Sequence, residues 1–170
     1  MKTLKDFGIN IVHTKTQDAT IYKEEYFEKF DKILLDVPCL GLGVLKRKPD
    51  IKWKKAIEDI DNISEIQYKI LNTCSKYLKK GGQIVYSTCS ILDSENKNII
   101  FKFLKENENF EIEKIIFGQD NKDNKDNKVE KCLKKYVTKD GFIKLYQNES
   151  TDGFFISKLV KKGRKATMLQ

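Results

Sequence analysis

The sequence predicts an α/β fold in which helices alternate with the strands of a doubly wound sheet. Three observations lead to this class. Short aliphatic runs recur along the chain, an amphipathic helix separates two of them, and a second amphipathic helix precedes two more strand-like segments. The chain has 170 residues, of which 39% are hydrophobic, so we expect one domain with a substantial core.

Three short runs have the composition of parallel strands that are buried on both faces. They read GINIVHT at 8–14, KILLD at 32–36 and QIVYS at 83–87. His13, the only histidine of the chain, lies inside the first run, so we assign it a structural role.

The segment between the second and third runs has the pattern of an amphipathic helix. Ser64 and Gln67 have the spacing of a capping box at its start. Gly81 and Gly82 follow and are expected to end it. Apolar side chains recur on one face of this helix, namely Ile66, Ile70, Cys74 and Tyr77.

A second helix is predicted to begin at Asp93 or Ser94. After it, residues 110–117 alternate as a strand does, and residues 152–160 read as a final strand. The side chains that the second helix is expected to bury are Ile99, Ile100, Phe103 and Leu104.

Residues 1–162 therefore read as one unit, followed by a basic tail at 163–170. Within the unit, DNKDNKDNK at 120–128 has no apolar side chain and is expected to be a solvated loop. No stretch approaches the roughly 18 apolar residues of a membrane helix, and KTLKDFG after Met1 is not a signal sequence, so we expect no membrane association.

The four cysteines, at 39, 74, 89 and 132, have no C-x-x-C spacing, which argues against a zinc module and against a secreted disulfide framework. We expect reduced thiols, a cytoplasmic location and no metal. The chain has 33 Lys and Arg residues and 25 Asp and Glu residues, so its formal net charge is +8. This charge favours nucleic acid as a partner, but a Lys- and Asn-rich composition explains it equally well.

Two of the cysteines come directly after predicted strands. Cys39 follows the strand at 32–36, and Cys89 follows the strand at 83–87. If these strands are parallel neighbours, about 4.8 Å apart, both thiols open into one crevice at the carboxyl edge of the sheet. The alternative is that each is a small buried hydrophobe, as we expect for Cys74 and Cys132.

The segment KRKPDIKWKK at 46–55 combines six cationic residues with one tryptophan. Such a segment suits phosphate contacts, with Trp53 either stacking on a base or bracing the loop. A merely solvated basic loop is the alternative. The candidate RNA-binding residues are Lys46, Arg47, Lys48, Lys52 and Trp53.

Two long motifs in this order, DVPCLGLGVLKRKPDIKW and GGQIVYSTCSILDSEN, resemble the Sun (Fmu) group of RNA (cytosine-5) methyltransferases, in particular those acting on 16S ribosomal RNA. The resemblance runs from about residue 8 to the closing TDGFFISKLVKK at 151–162. It implies a Rossmann-like class I methyltransferase sheet, S-adenosylmethionine as cofactor and ribosomal RNA as substrate.

The chemistry of cytosine accounts for a pair of thiols. C5 is too weak a nucleophile to take a methyl group unaided, but addition of a thiolate at C6 makes it enamine-like. The proton left at C5 must then depart before the thiol is eliminated, and a second nearby group has to assist. The resemblance implies that Cys89, in the Thr-Cys motif, is the nucleophile and that Cys39, in the Pro-Cys motif, assists.

Two aspartates are candidate cofactor-binding residues. Asp36, at a strand tip, can accept from the exocyclic amine of cytosine or hold a protonated ring nitrogen. The resemblance also places Asp36 against the cofactor and Asp18 next to its adenine, although the glycine that follows in the family is Ala19 here. A plain loop aspartate is the alternative for Asp18.

Two features of a cofactor-binding methyltransferase sheet do not occur in this sequence: a first strand with a Gly-rich turn, and a second strand ending in an acidic residue. We therefore expect the carboxyl-terminal part of such a domain, lacking its first two strands. Apolar sheet edges should be exposed, cofactor affinity should be weak or nil, and the missing amino-terminal part becomes a candidate partner. A non-catalytic basic RNA-binding module and an inert truncated product are the other hypotheses.

Overall fold

A computed structural model describes residues 6–9, 11–50, 57–115, 133–149 and 151–163. Within these residues, strands and helices alternate from Phe30 to Ile112, as the sequence predicts, and two more strands follow. Two short 3-10 helices, Glu24–Tyr26 and Leu42–Val44, accompany them. The main elements are β1 (Phe30–Asp36), α1 (Ile57–Ser75), β2 (Leu78–Thr88), α2 (Lys97–Glu106), β3 (Phe110–Ile112), β4 (Ile143–Leu145) and β5 (Phe154–Lys161).

The strands form one mixed sheet with the order β1-β2-β5-β3, and β4 pairs with β5 beside this path. β1 and β2 are parallel, with Leu35 opposite Tyr86 and Asp36 opposite Ser87. β5 runs antiparallel to β2, β3 and β4. The parallel pair with its crossover helix, extended by antiparallel strands, confirms the predicted partial Rossmann-like sheet.

One face of the sheet carries the core. Alternate residues of each strand point to this face, so that Leu35, Tyr86 and Leu159 are buried there. Both helices contribute to the same cluster, α1 through Leu71 and α2 through Ile100. The two strands that precede the thiols therefore pack on this face against a core that α1 and α2 complete.

The opposite face is much less covered. Leu34, between two residues that point toward the core, is 72% exposed, and β1 is an edge strand among the strands described. Val85 and Ile156 on the neighbouring strands are half-buried. The expected exposure of apolar side chains at a sheet edge is confirmed for β1.

The predicted strand at 8–14 is wrong: the described residues of this run form no strand. Ile11 is 88% exposed, and His13 is exposed rather than inside a strand. A strand exists only where a neighbour satisfies its backbone groups, and no described strand pairs with this run.

The predicted boundaries of the first helix are also wrong. Ser64 and Gln67 lie inside α1 rather than at its start, and Ile66 is 40% exposed. Gly81 and Gly82 lie within β2, where the pairing jumps from Phe30↔Leu78 to Lys32↔Gln83, so that the extra residues form a bulge. Gly81 has a φ of +79°, which glycine adopts without strain.

Smaller differences concern the second half of the chain. α2 begins at Lys97, a few residues later than predicted, and buries Ile99, Ile100 and Phe103, with Leu104 partly buried. The strand predicted at 110–117 is formed only over Phe110–Ile112, and β4 was not predicted at all. The 120–128 loop and residues 164–170 of the tail lie outside the described residues.

Candidate active site

The carboxyl ends of β1 and β2 bring the two predicted thiols together. β1 ends at Asp36 and β2 at Thr88, and the residues that follow each strand turn toward the same point. The Sγ atoms of Cys39 and Cys89 lie 2.8 Å apart, and both residues are half-buried. In chemical terms, this places two sulfur atoms within reach of one small ring.

Burial raises the pKa of the Cys39 thiol to about 12, and the hydrogen bond and charge repulsion from Cys89 add to the effect. Backbone hydrogen bonds from Gly41 and Cys89 oppose the shift without cancelling it. Cys39 therefore stays a thiol at neutral pH, and its S–H is available as a donor to the sulfur of Cys89.

The two thiol-bearing loops and the turn before β5 meet at a pair of glycines. The N–H of Gly43 donates to the carbonyl of Cys89 at 2.9 Å, and the N–H of Gly153 donates to the carbonyl of Gly43 at 2.7 Å. A Cβ at Gly43 would lie 2.2 Å from the Gly153 carbonyl oxygen and 2.7 Å from that of Cys89. Only a residue without a side chain fits at position 43.

Glu95 lies beneath the thiols and is completely buried. One carboxylate oxygen, Oε2, accepts the N–H of Leu40 at 2.9 Å and the Gln67 side-chain amide at 3.0 Å. The other, Oε1, accepts the hydroxyl of Ser90 at 2.5 Å. The Gln67 amide also donates to the Pro38 carbonyl at 2.8 Å. The Cys39 loop, the Cys89 turn and α1 are thus joined by one buried polar network.

A second set of hydrogen bonds shapes the turn that carries Cys89. Thr88 donates to the Asn96 side chain at 2.6 Å, and the Asn96 amide donates to the Ser90 carbonyl at 2.9 Å. The N–H of Ser90 closes the turn on the Thr88 hydroxyl at 3.2 Å. Because Thr88 and Asn96 are both fully buried, Cys89 projects from a turn whose flanking groups are held.

Asp36 and Asp18 lie in different surroundings. Asp36 is exposed at the end of β1, close in sequence to Cys39, and accepts the Ser87 hydroxyl at 3.1 Å. Asp18 is exposed in a loop and accepts both the N–H and the hydroxyl of Thr20, at 2.8 and 2.7 Å. The Thr20 hydroxyl contact lowers the pKa of Asp18, and the Thr20 N–H contact adds to it.

The loop that carries Asp18 contacts the end of α1. The Thr20 carbonyl, two residues after Asp18, accepts the hydroxyl of Thr73 near the end of that helix. Gln67, which contacts the Cys39 loop, lies six residues earlier on α1, about 9 Å along its axis. A role of Asp18 in cofactor binding stays a prediction.

The basic segment is only partly described. Lys46 donates to the Glu149 carbonyl at 3.1 Å, Arg47 forms an ion pair with Asp152, and Lys48 is exposed. Lys52 and Trp53 lie outside the described residues. Lys46 and Arg47 line a cleft together with Asn148, Glu149, Thr151 and Asp152.

Three polar residues of this site were not predicted to take part in it: Gln67, Glu95 and Asn96. Gln67 was interpreted as a capping residue, whereas its place on the buried face of α1 shows a tertiary role. Glu95 and Asn96 are the last two residues of the motif GGQIVYSTCSILDSEN, which carries the family resemblance, but no role was assigned to them from the sequence.

The described residues contain neither a metal-binding cluster nor a membrane-spanning helix. No group of three or more His, Cys, Asp or Glu side chains in them is arranged to hold a metal ion. Nor does any helix in the described part of the chain have the length and apolar character needed to cross a bilayer.

The sheet and its helices define a methyltransferase-like α/β fold. Two solved structures from Pyrococcus horikoshii are similar to it. NSun6 with SFG has a TM-score of 0.69 and 25% sequence identity, and the match covers 95% of this chain and 38% of NSun6. A methyltransferase homolog protein has a TM-score of 0.66 and 28% identity, and the match covers 94% of this chain and 48% of that protein. The profile of the 16S rRNA methyltransferase RsmB/F family matches residues 1–160, and the chain belongs to this family.

A curated relative is the probable ribosomal RNA small subunit methyltransferase B of Bacillus subtilis (strain 168). It is 38% identical over 161 residues, which are 92% of this chain and 33% of the relative. The chain thus spans about a third of the length of this relative.

Proposed function

We propose that this chain carries the catalytic thiols of a methyltransferase that modifies C5 of a cytosine in 16S ribosomal RNA, with S-adenosylmethionine as methyl donor. The observation that carries the proposal is the 2.8 Å contact between the Sγ atoms of Cys39 and Cys89. Membership of the RsmB/F family supports the substrate, and the NSun6 structure with SFG, a cofactor analogue, supports the cofactor.

Cys89 is the proposed nucleophile. Its sulfur adds to C6 of the cytosine, which gives C5 the electron density to take a methyl group. When S-adenosylmethionine is bound, it supplies that methyl group in electrophilic form. Because burial keeps Cys39 protonated, its S–H can donate a hydrogen bond to the sulfur of Cys89 as that sulfur attacks.

Cys39 is the proposed base for the second half of the reaction. Part of the rise in its pKa comes from the hydrogen bond and charge of Cys89, after the larger effect of burial. Once Cys89 is bonded to C6, its sulfur is a neutral thioether, so both contributions disappear and the pKa of Cys39 falls. Cys39 can then release its own S–H proton to solvent, and the resulting thiolate takes the proton from C5. The C5–C6 double bond re-forms as the bond between C6 and the Cys89 sulfur breaks, so Cys89 leaves as a thiolate and Cys39 is again a thiol.

Asp36 fits a role in holding the cofactor or the cytosine. A carboxylate can accept about four hydrogen bonds. Among the described residues, Asp36 accepts one from the Ser87 hydroxyl, so it can accept others from a ligand. Asp18 has one carboxylate oxygen engaged by Thr20 and is proposed to contact the adenine end of the cofactor.

The basic segment is proposed to contact RNA phosphates. Lys46, Arg47 and Lys48 come shortly after the Leu42–Val44 turn, whose Gly43 N–H donates to the Cys89 carbonyl. Lys52 and Trp53 continue the same segment in sequence. We further propose that residues 1–162 are the carboxyl-terminal portion of the methyltransferase domain, since the relative from B. subtilis is about three times longer than the matched segment.

The test is transfer of a tritiated methyl group from S-adenosylmethionine to 16S ribosomal RNA. It uses the chain alone and a chimera in which this chain replaces the matching segment of the B. subtilis relative, each with and without Cys89→Ala. Label found in 5-methylcytidine and lost by at least about 10³-fold in the variant supports the proposal. RNA retention without transfer by either protein supports a binding module instead, and label at another atom overturns the cytosine-5 assignment.

A further inference from the structure

The buried carboxylate of Glu95 joins the residues that immediately follow the two thiols. Leu40 comes directly after Cys39, and its N–H is bonded to Oε2. Ser90 comes directly after Cys89, and its hydroxyl is bonded to Oε1. A planar peptide links the Cys39 carbonyl to the Leu40 N–H, so holding this N–H also orients the backbone at Cys39.

The described donors to this carboxylate are all neutral, although Glu95 is completely buried. They come from three separate parts of the fold: the Cys39 loop, the Cys89 turn and α1. Both side-chain oxygens are engaged, Oε2 by two donors and Oε1 by one. Burying an acid that has no cationic partner among the described residues lowers the stability of the fold. We therefore expect the contribution of Glu95 to be the geometry that its hydrogen bonds impose.

We propose that Glu95 is a positioning residue, whose carboxylate holds the Cys39 loop and the Cys89 turn at the spacing that the reaction requires. This inference rests on the proposed function, because the spacing matters for attack by one thiol and assistance by the other. Glu95 itself does not touch the substrate in this scheme. Tyr86 supports it from below by donating its hydroxyl to the Glu95 carbonyl at 2.8 Å.

The alignment of the thiols can be measured without RNA or cofactor. In a glutathione redox buffer, Cys39 and Cys89 form a disulfide as one oxidised glutathione becomes two reduced ones. The equilibrium constant of this exchange reports how well the two sulfurs are held together. It is read by rapid alkylation and peptide mass spectrometry, so its outcome is independent of whether methyl transfer occurs.

We expect Glu95→Ala to lower this constant by about tenfold or more, which corresponds to the loss of about one buried hydrogen bond. Glu95→Gln should stay within about threefold of the parent, because the amide oxygen can accept from Leu40 while the amide N–H donates to the Ser90 hydroxyl. Glu106→Ala, at an exposed glutamate, is the matched control and should leave the constant unchanged.

Circular dichroism and thermal unfolding establish which variants are folded. If Glu95→Ala does not fold, Ser90→Ala removes only the Cys89 side of the contact and should lower the constant by about threefold or more. A folded Glu95→Ala or Ser90→Ala variant with the parent constant overturns the proposal, as does a glutamine variant as impaired as the alanine one. Loss of methyl transfer in the parent, with these shifts present, would instead count against the proposed function alone.

Discussion

The sulfur atoms of Cys39 and Cys89 are in contact, at 2.8 Å, although 50 positions separate the two residues in the chain. The contact follows from the parallel pairing of β1 and β2, whose ladder ends with Asp36 opposite Ser87. Each thiol then comes within three residues of its ladder end. The following predictions test what this contact does and what maintains it.

Cys39→Ala should convert the enzyme into one that stalls on its substrate. Without Cys39 the proposed acceptor of the C5 proton is missing, so the Cys89 adduct accumulates. We expect a slowly migrating protein–RNA species in a denaturing gel of the chimera, in the presence of S-adenosylmethionine. The double variant with Cys89→Ala is the control and should show none. Rapid release of RNA by the single variant would contradict the two-thiol scheme.

The two thiols should differ in their reaction with iodoacetamide. Alkylation consumes the thiolate, and the pKa of Cys39, about 12 through burial and then through Cys89, keeps this thiol protonated at every pH well below that value. At pH 8 we therefore expect Cys89 to be modified at least about tenfold faster than Cys39. Peptide mass spectrometry measures both rates.

The unfolded chain is the control for this difference. In concentrated urea the burial of Cys39 is lost, so its pKa returns toward the ordinary range and both cysteines should react at similar rates. Faster modification of Cys39 than of Cys89 in the folded protein would contradict the raised pKa of Cys39 and its proposed role as the protonated partner.

Gly43→Ala should displace the Cys89 turn. The added methyl would meet two backbone carbonyl oxygens, at 2.2 and 2.7 Å, and backbone cannot rotate out of the way as a side chain can. We expect a loss of stability of about 1–3 kcal/mol and slower disulfide formation between the thiols. Gly163→Ala is the matched control, because nothing lies within 4 Å of its Cβ position. Equal stability of the two variants in urea unfolding would refute the close approach.

Truncation to alanine should lower the free energy of unfolding at Leu35 but hardly change it at Leu34, although the two residues are neighbours on β1. Leu35 is 8% exposed and belongs to the core, so Leu35→Ala is expected to cost about 2–5 kcal/mol. Leu34 is 72% exposed, so Leu34→Ala should change the free energy of unfolding by less than about 0.5 kcal/mol. Light scattering should also show less self-association for Leu34→Ala. A large destabilisation by Leu34→Ala would mean that this face is covered in solution.

Local patterns in the sequence predicted the thiol pair because each cysteine follows a short aliphatic run, and such runs pair side by side in an α/β sheet. The same reasoning failed for residues 8–14, because an aliphatic run forms a strand only when another strand lies beside it. Gly81 and Gly82 were misread because a bulge inside a strand and the end of a helix call for the same residue.

The buried polar network lay beyond prediction for a different reason. Apart from the nearby contact of Glu95 with Ser90, the side chains of Glu95 and Gln67 bond partners that are 28 or more positions away in the chain, Leu40 and Pro38 among them. Nothing in the spacing of these residues distinguishes them from polar residues on a solvated surface. Only the packing of α1 and α2 against one side of the sheet removes them from water.

The crossover through α1 means that the two thiols come together late in folding. β1 and β2 can pair in parallel only after the whole intervening segment has been laid down and its loop-closure entropy overcome. A nascent or partly unfolded chain thus holds two ordinary, separate cysteines. The paired thiols arise only with the non-local ladder, so their chemistry is confined to molecules that have completed the sheet.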